Sequence, residues 1–493
     1  MLLRWKTEVE AISRAIGAKH TSTDSDRLSQ FWNILPFVFF FTLLVVFHNQ
    51  LALAAHWDTG WIRHVIWRNP AQHMPETCCA VDGENSNLIS WSWHFVPLFS
   101  LFSVASYLWP FGEILWTASF FALPYALIVQ FMLAFARICG RNRINKSSFV
   151  SIALALIVIG FSLGTFRSIQ FPHYEIYYLS FSLMLLYFLI QKRIVMVFLA
   201  TFLCFSVKED SLIYLMILYV AFFLSKSNIK RVFTNSLLLC IPALIYLLAM
   251  EFLEFADPPN PDFPDQSSLQ SQYLGTPPLK HINFGFLLDR IYENLKWNFE
   301  LYLFVIVLTI AAARRSRSLA TRFLLCLSPH VLVAWIGFAE TKGIWVSYHQ
   351  VPIWTSVLLF LLVLEIRYAF FASKAMLVII LIFSLLSYYS FSVPYVAKGL
   401  ISTGKATSIY AEVDEVIRSA LVGSDVLDSN FFFYDPSLVS VNSWLRDNSQ
   451  FPKNGCLVHL QNSVAPQKLQ QSLKIEVKSQ VPIGRNFQRT CFE

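Results

Sequence analysis

The chain has 493 residues, of which 56% are hydrophobic and 14% charged, and it carries 46 phenylalanines and a formal net charge of +7. Soluble domains carry about 25% charged residues, so the composition excludes a soluble enzyme for most of the chain and points to a polytopic membrane protein. The basic residues are spread over short loops rather than gathered in one patch, which argues against nucleic acid as a partner and makes them a topology signal.

Residues 1–32 are polar and charged, with no early apolar run and no small-residue cleavage site of a secretory leader. Leu2, Trp5, Val9, Ile12 and Ile16 recur there at spacings of three and four. That pattern fits either a cytoplasmic amphipathic helix lying on the membrane surface or a disordered basic tail. A membrane domain is expected over 33–393. A spanning helix needs about 20 mostly apolar residues. The predicted spans are 33–55, 113–136, 148–166, 175–190, 194–207, 211–224, 232–253, 300–313, 322–339, 350–371 and 375–393, about eleven transmembrane helices in all.

The first large loop, 56–112, sets Asp58, Arg63, His64, Arg68, His73, Glu76, Asp82, Glu84 and His94 among Trp57, Trp61, Trp67, Trp91 and Trp93. Interfacial tryptophans hold a loop at headgroup depth, and ionisable groups kept against a membrane point to chemistry more than to packing. The end of this loop, 95–109, is apolar enough to form a helix. If it spanned, Arg137, Arg141, Arg143 and Lys146 would fall on the side poor in basic residues, so it is predicted to be in-plane or re-entrant, closed by Pro110 and Gly112. The loop 254–299 opens with Pro, Ser and Asp-rich irregular chain, a spacer more readily than a mobile lid. It ends in INFGFLLDRIYENLKWNF, whose helical apolar spacing suits the interface. In the tail, 394–493, AEVDEVIRSAL and APQKLQQSLK read as helices, and GCLVHL and IEVKSQV as strands, which predicts a small α/β C-terminal domain.

With the N-terminus in the cytoplasm, Arg137, Arg141, Arg143, Lys146, Lys192, Arg193, Lys226, Lys230, Arg231, Arg314, Arg315, Arg317 and Arg322 all fall on the cytoplasmic side, and the opposite loops hold few cations. The positive-inside bias therefore places the tail outside, as an extracytoplasmic domain. Four outer loops then bring Asp58, His94, His173, Glu175, Lys208, Glu209, Asp210, Lys342 and His349 to one membrane face. The cytoplasmic loops hold no comparable mixture, so a site on the outer face is the simplest inference. Cys139, Cys204, Cys240 and Cys326 lie in or beside apolar segments and read as packing residues. Adjacent Cys78 and Cys79 have no matching ligand pair. Cys456 and Cys491 can bridge if their side of the membrane is oxidising.

Sugar transfer from a lipid phosphate needs a carboxylate at the acceptor hydroxyl, cations at the departing phosphate and an apolar groove for the tail. Asp58 supplies the first; Arg63, Arg68, Lys208 and Lys342 are candidates for the second; the phenylalanine-rich helices offer the third. Each residue also has a structural reading. Asp58 suits a helix N-cap, His94 an interfacial contact to backbone, Glu175 a buried polar network, Lys208–Glu209–Asp210 a self-paired helix boundary, and His349 a structural partner beside Tyr348. No cofactor is required by these residues and no metal ligands are assigned, although His56, Asp58, His64 and His94 leave room for a divalent cation.

The succession HWDTGW, Trp67, HFVP, PHYE, KED and YHQVPIW resembles an uncharacterised family of predicted bacterial multipass membrane proteins, a domain of unknown function, over residues 35–440. That family is similar to a branch of the C-type (GT-C) glycosyltransferase superfamily, which includes the protein mannosyltransferases and arabinose transferases. The resemblance implies an all-α, GT-C-like polytopic fold in a bacterial inner membrane. It also implies inverting transfer of a sugar from a polyprenyl-phosphate donor to a glycan, lipid or protein acceptor on the extracytoplasmic face. It makes Asp58 the catalytic base. The family's H-F-x-P, H-x-E and K-E-D segments fall on His94, Phe95 and Pro97, on His173 and Glu175, and on Lys208, Glu209 and Asp210. Thr59 stands beside Asp58 where many superfamily members have a second acidic residue, so a two-carboxylate metal site does not carry over. The alternative is a transporter or flippase for a lipid-linked or amphipathic substrate. Such proteins place charges near mid-membrane and often show internal repeats, whereas here the polar residues gather at one face and no repeat is evident.

Overall fold

The structure, a computed structural model, describes residues 24–53, 57–68, 70, 96–141, 147–161, 168–169, 172–207, 211, 213–215, 217, 240–245, 247–249, 274–275, 277–338, 347–368, 382, 399–423, 426–427, 455–461, 466–467, 470, 474–483 and 485–492. They are mostly helical and close with a small C-terminal sheet. The helical part comprises α1 (Asp24–Leu53), α2 (Trp57–Ile66), α3 (Pro97–Ser106), α4 (Glu113–Arg141), α5 (Ser147–Gly160), α6 (Ile176–Gln191), α7 (Ile194–Phe205), α8 (Phe284–Arg315), α9 (Arg317–Ile336) and α10 (Val351–Tyr368).

Three stretches are long and apolar enough to cross a membrane: Trp32–Leu51 in α1, Glu113–Cys139 in α4, and α9. Helix α8 makes a fourth if its two limbs count as one span. These helices mark a membrane protein. Helix α3 has ten residues and, at about 1.5 Å per residue, covers about 15 Å, half of the roughly 30 Å hydrocarbon core. That length agrees with a non-spanning role for 95–109. The spans expected at 211–224, 232–253 and 375–393, and the N-terminal segment 1–23, lie largely or wholly outside the described residues.

Proline lies inside three of the long helices, at Pro36 of α1, Pro124 of α4 and Pro329 of α9, and at the last two a side chain repairs the damage. Pro124 has no N–H to offer the Phe120 carbonyl one turn earlier, and the Tyr177 hydroxyl of α6 donates to that carbonyl at 2.7 Å. Pro329 likewise leaves the Leu325 carbonyl without its helical donor, and Ser328 Oγ takes its place at 2.8 Å. Helix α6 ends on Lys192 in the left-handed region (φ 58°), with the backbone N–H groups of Lys192 and Arg193 donating to the Leu189 and Phe188 carbonyls. This C-terminal cap turns the chain straight back into α7.

Aromatic rings weld the helices together. Phe47 of α1 meets Phe121 and Tyr125 of α4, Phe39 meets Phe161 beyond α5, and Phe323 of α9 stacks on Phe360 of α10 with centroids 3.9 Å apart. The outward side of α1 is no less apolar: Ile34, Phe37, Val38, Phe41 and Val45 are exposed. A helix hydrophobic all round fits a surrounding of lipid.

The C-terminal unit is built on α11 (Thr403–Gly423), which packs Ile409, Val413, Val416, Ile417 and Ala420 against Val458 and Phe487 of a sheet. Its strands are β1 (Val426–Leu427), β2 (Cys456–Leu460), β3 (Val477–Ile483) and β4 (Phe487–Phe492), in the order β1-β2-β4-β3, with β1 parallel to β2 and the other pairs antiparallel. Cys456 and Cys491 face each other in register and are bridged. One carboxylate of α11 clasps the hairpin turn, Glu412 accepting the N–H groups of Arg485 and Asn486 and the side-chain amide of Asn486. Two bonds tie this unit to the last turns of α1: Asn49 Nδ2 donates to the Gly399 carbonyl at 2.6 Å, and the Tyr410 hydroxyl donates to the His48 carbonyl at 2.9 Å. Gly399 permits the approach, because a Cβ there would lie 3.1 Å from Val46 Cγ1.

Two outcomes follow. Tyr177→Phe keeps the packing but strands the Phe120 carbonyl, and should cost about 1–3 kcal/mol, read as a lowered unfolding temperature in detergent. The Cys456–Cys491 thiols should react with a maleimide-polymer only after reduction, and loss of the bridge should cost the C-terminal unit about 2–4 kcal/mol, measured as earlier proteolysis of that unit.

Candidate functional site

The antiparallel succession of helices sorts the side chains into two ends. One end carries Arg137 and Arg141 of α4, Lys192 and Arg193 between α6 and α7, and Arg314, Arg315 and Arg317 between α8 and α9. At the other end lie the last turn of α1, helices α2 and α3, the starts of α4 and α6, the last turns of α7 and α9, and the start of α10. Backbone contacts hold this second end together, among them the Leu98 N–H donating to the Ser206 carbonyl at 3.1 Å.

Glu175 and His349 meet there. Glu175 precedes the first turn of α6 and is buried, and His349 lies on a short 3-10 turn, Ser347–Gln350, that leads directly into α10. Glu175 Oε1 and His349 Nδ1 are 3.8 Å apart, an ion-pairing distance and too long for a hydrogen bond. The start of α6 favours the carboxylate, since the helix dipole is positive at that end. His173, also buried, accepts the Glu175 N–H on Nδ1 at 3.4 Å, and its ring lies against Tyr174 with centroids 4.2 Å apart. Tyr174 in turn packs edge-on against Phe99 of α3.

The second cluster joins α2 to α4. Arg63 is buried and its Nε donates to Glu113 Oε1 at 2.6 Å, while Trp116 Nε1 caps the last turn of α2 by donating to the Ile66 carbonyl. The chain leaves α2 through Arg68 in the left-handed region (φ 53°), held by its N–H to Ser106 Oγ and by the Tyr107 hydroxyl to its carbonyl. The Arg68 guanidinium lies over the Trp67 ring, 4.6 Å from its centroid. Asp58 lies in the first turn of α2; its side chain lies outside what the structure describes.

A third set of contacts comes from α8. Its backbone breaks at Asn298 (φ −134°, ψ 22°), and the limbs Phe284–Lys296 and Leu301–Arg314 meet at 86°. The Gln350 amide donates to Asn298 Oδ1 at this break. Arg290, one limb further back and buried, donates through Nη2 to the carbonyls of Gly337 and Phe338 beyond α9. His281 Nε2 bonds the Ile336 carbonyl at 2.9 Å.

Of the residues singled out in the sequence, His173, Glu175 and His349 are brought together, Arg63 is engaged by Glu113, and Asp58 is placed on α2 at the same end. His94, Lys208, Glu209, Asp210 and Lys342 lie outside the described residues. Val207 and Phe338, the last described neighbours of two of these segments, are both at this end of the bundle. Glu113, Arg290, Asn298 and Gln350 escaped the sequence reading. Glu113 begins an apolar helix, where an acidic residue is expected for the dipole alone; Gln350, next to His349, was the one adjacent signal. Among the described residues no group of three His, Cys, Asp or Glu side chains comes together to hold a metal ion. Comparison with known protein families, with curated proteins and with solved structures gives no match for this chain.

Removing the carboxylate from the α2–α4 pair leaves a buried guanidinium behind. Glu113→Ala should lower stability by about 1–3 kcal/mol, and the double replacement Arg63→Met with Glu113→Leu should recover most of it. Thermal unfolding of the three proteins in one detergent checks both statements.

Proposed function

We propose that the protein is a membrane-embedded glycosyltransferase of the GT-C type. It takes a sugar from a polyprenyl-phosphate donor at the extracytoplasmic face and passes it, with inversion, to a glycan, lipid or protein acceptor. In this reading about eleven spans complete the fold, the basic end of the bundle faces the cytoplasm, and the membrane is a bacterial inner membrane. The observation that carries the reading is the meeting of Glu175 and His349 across 3.8 Å at the end of the bundle opposite the arginines. A buried carboxylate beside hydrocarbon is costly and marks function by default, and two loops far apart in sequence supply this pair.

Asp58 serves as the base that takes the acceptor proton. Glu175 and His349 hold the sugar and steer its hydroxyls, with His173, His94 and Glu209 beside them. Lys208 and Lys342 meet the departing phosphate. Arg63, already bonded to Glu113, fixes α2 and so the position of Asp58. The resemblance noted in the sequence supports this assignment as analogy only.

One observation favours the transporter reading. His330 of α9 and Glu365 of α10 are buried within the helices themselves, His330 stacking on Tyr214 and bonding Ser356 Oγ at 3.0 Å. Ser356 and Glu365, however, are nine residues apart on α10 and so project about 180° from each other at 3.6 residues per turn. They do not line one path, which keeps transfer ahead of transport.

Asp58→Asn, Glu175→Gln and His349→Asn should each lower transfer from polyprenyl-phosphate-linked sugars by about 10²-fold or more, while membrane insertion and unfolding temperature stay near wild type. Transfer in isolated membranes is the measurement. Full activity in all three variants removes the assignment, and passage of the intact donor across proteoliposomes without turnover replaces it with transport.

A further inference from the structure

The first limb of α8 is amphipathic in an unusual sense, with its polar residues turned into the protein and its apolar residues turned out. Phe284, Leu288, Tyr292 and Leu295 are exposed, Phe284 at 77% and Tyr292 at 63%. At 100° per residue they fall within a sector of about 80°. Arg290 and Asn294 lie on the far side, buried, with Arg290 bonded to the backbone beyond α9. Between these two sectors runs a third that carries Asp289, Glu293 and Lys296, the last two paired at 3.2 Å. An apolar face bordered by ionisable groups is the pattern of a helix lying in a membrane interface.

We infer that this limb, Phe284–Lys296, lies flat on a lipid monolayer with its apolar row among the acyl chains, and that its other side holds the His349 turn in place. Two further observations set the partner as lipid. The limb is bent 86° from Leu301–Arg314, the other half of a broken apolar helix, so a second limb set along the bilayer normal puts the first in the bilayer plane. An unconnected segment at the same end, α3 and the residues after it, also turns an apolar row outward through Leu101, Val104 and Leu108. Two such rows at one end of the bundle mark a common level where protein meets acyl chains. Lys280 and Lys296 balance Asp289 and Glu293, so apolar burial and not attraction to anionic headgroups holds the limb.

The coupling runs through the polar side. Arg290 and His281 fix the chain at Ile336–Phe338, and Asn298 fixes Gln350. The chain at Ile336–Phe338 and at Gln350 is thus bonded by α8 and the residues just before it, and His349 is the neighbour of the held glutamine. Asn298 is a positioning residue for His349. Only that role rests on the function proposed for Glu175 and His349; the docking on lipid stands apart from it.

The test uses the full chain with Cys78→Ser, Cys79→Ser and Cys240→Ser, nitroxide-labelled after Leu288→Cys, Asp289→Cys, Tyr292→Cys or Leu295→Cys, in phosphatidylcholine vesicles. Labels at 288, 292 and 295 should collide with oxygen in preference to a water-soluble nickel chelate and share one depth to within about one helical turn, 5.4 Å. The label at 289 should prefer nickel, and added phosphatidylglycerol should leave all depths unchanged. Nickel-dominated collisions along the row overturn the docking. So does depth that increases steadily by about 1.5 Å per residue, which means a spanning limb, and so does shielding from both reagents with cross-linking to a second copy. For the coupling, a label introduced by Ser347→Cys should be immobilised, become mobile on Asn298→Ala, and be immobilised again on Asn298→Asp, which keeps the acceptor oxygen. Mobility unchanged by Asn298→Ala overturns the positioning role whatever the fate of the transferase reading.

Discussion

A carbonyl stripped of its helical donor has no water to turn to inside a hydrocarbon layer, and must be satisfied by the protein itself. Most of the bonds that fix this bundle answer that constraint. Pro124 and Pro329 each free a carbonyl within a long helix, and Tyr177 and Ser328 take them up. Helix ends pose the same problem: Trp116 serves the last turn of α2, and Arg290 the chain leaving α9. The bond from Asn49 to Gly399 repeats the device where the C-terminal unit meets α1. The polar residues of a chain this apolar are therefore few, and many of them are spent as donors to backbone at helix ends or breaks.

Glu175, His173 and His349 stand out from that pattern. His173 accepts a backbone N–H, and the carboxylate of Glu175 faces a histidine from a different loop. The dipole of α6 steadies the negative charge, and the adjoining aromatic rings of Tyr174 and Phe99 limit water around it.

The sequence was most legible where a single physical quantity decides. Sustained hydropathy marked α1, α4 and α9, and the placement of the basic residues set the run at 95–109 apart from them, where the structure has a helix of ten residues. In the tail, α11, β2 and β3 followed from periodicity. Strand β4 did not, because FQRTCF buries Phe487, Thr490 and Phe492, spacings of three and two that break the strand alternation. That His173, Glu175 and His349 share one end of the bundle was legible from the distribution of basic residues, but the 3.8 Å approach of Glu175 and His349 was not, since it depends on where α10 starts relative to α6. The break in α8 was equally hidden. Asn298 sits in a stretch whose apolar spacing is helical on both sides, and only the tertiary bond with Gln350 distinguishes it from any other asparagine.

That break has a consequence for how such a site can be held. A helix continuing straight through residue 298 would carry Arg290 and His281 away from α9, and the chain on either side of 339–346 would lose its anchors. With the break, one helix both carries the apolar limb Leu301–Arg314 and bonds, through Asn298, the Gln350 that neighbours His349. Glu175 is set at the start of α6, and His349 stands on the turn before α10, beside the Gln350 that α8 bonds through Asn298. The two side chains that meet are therefore anchored by different elements, while the packed rings of α1, α4 and α6 keep the bundle intact.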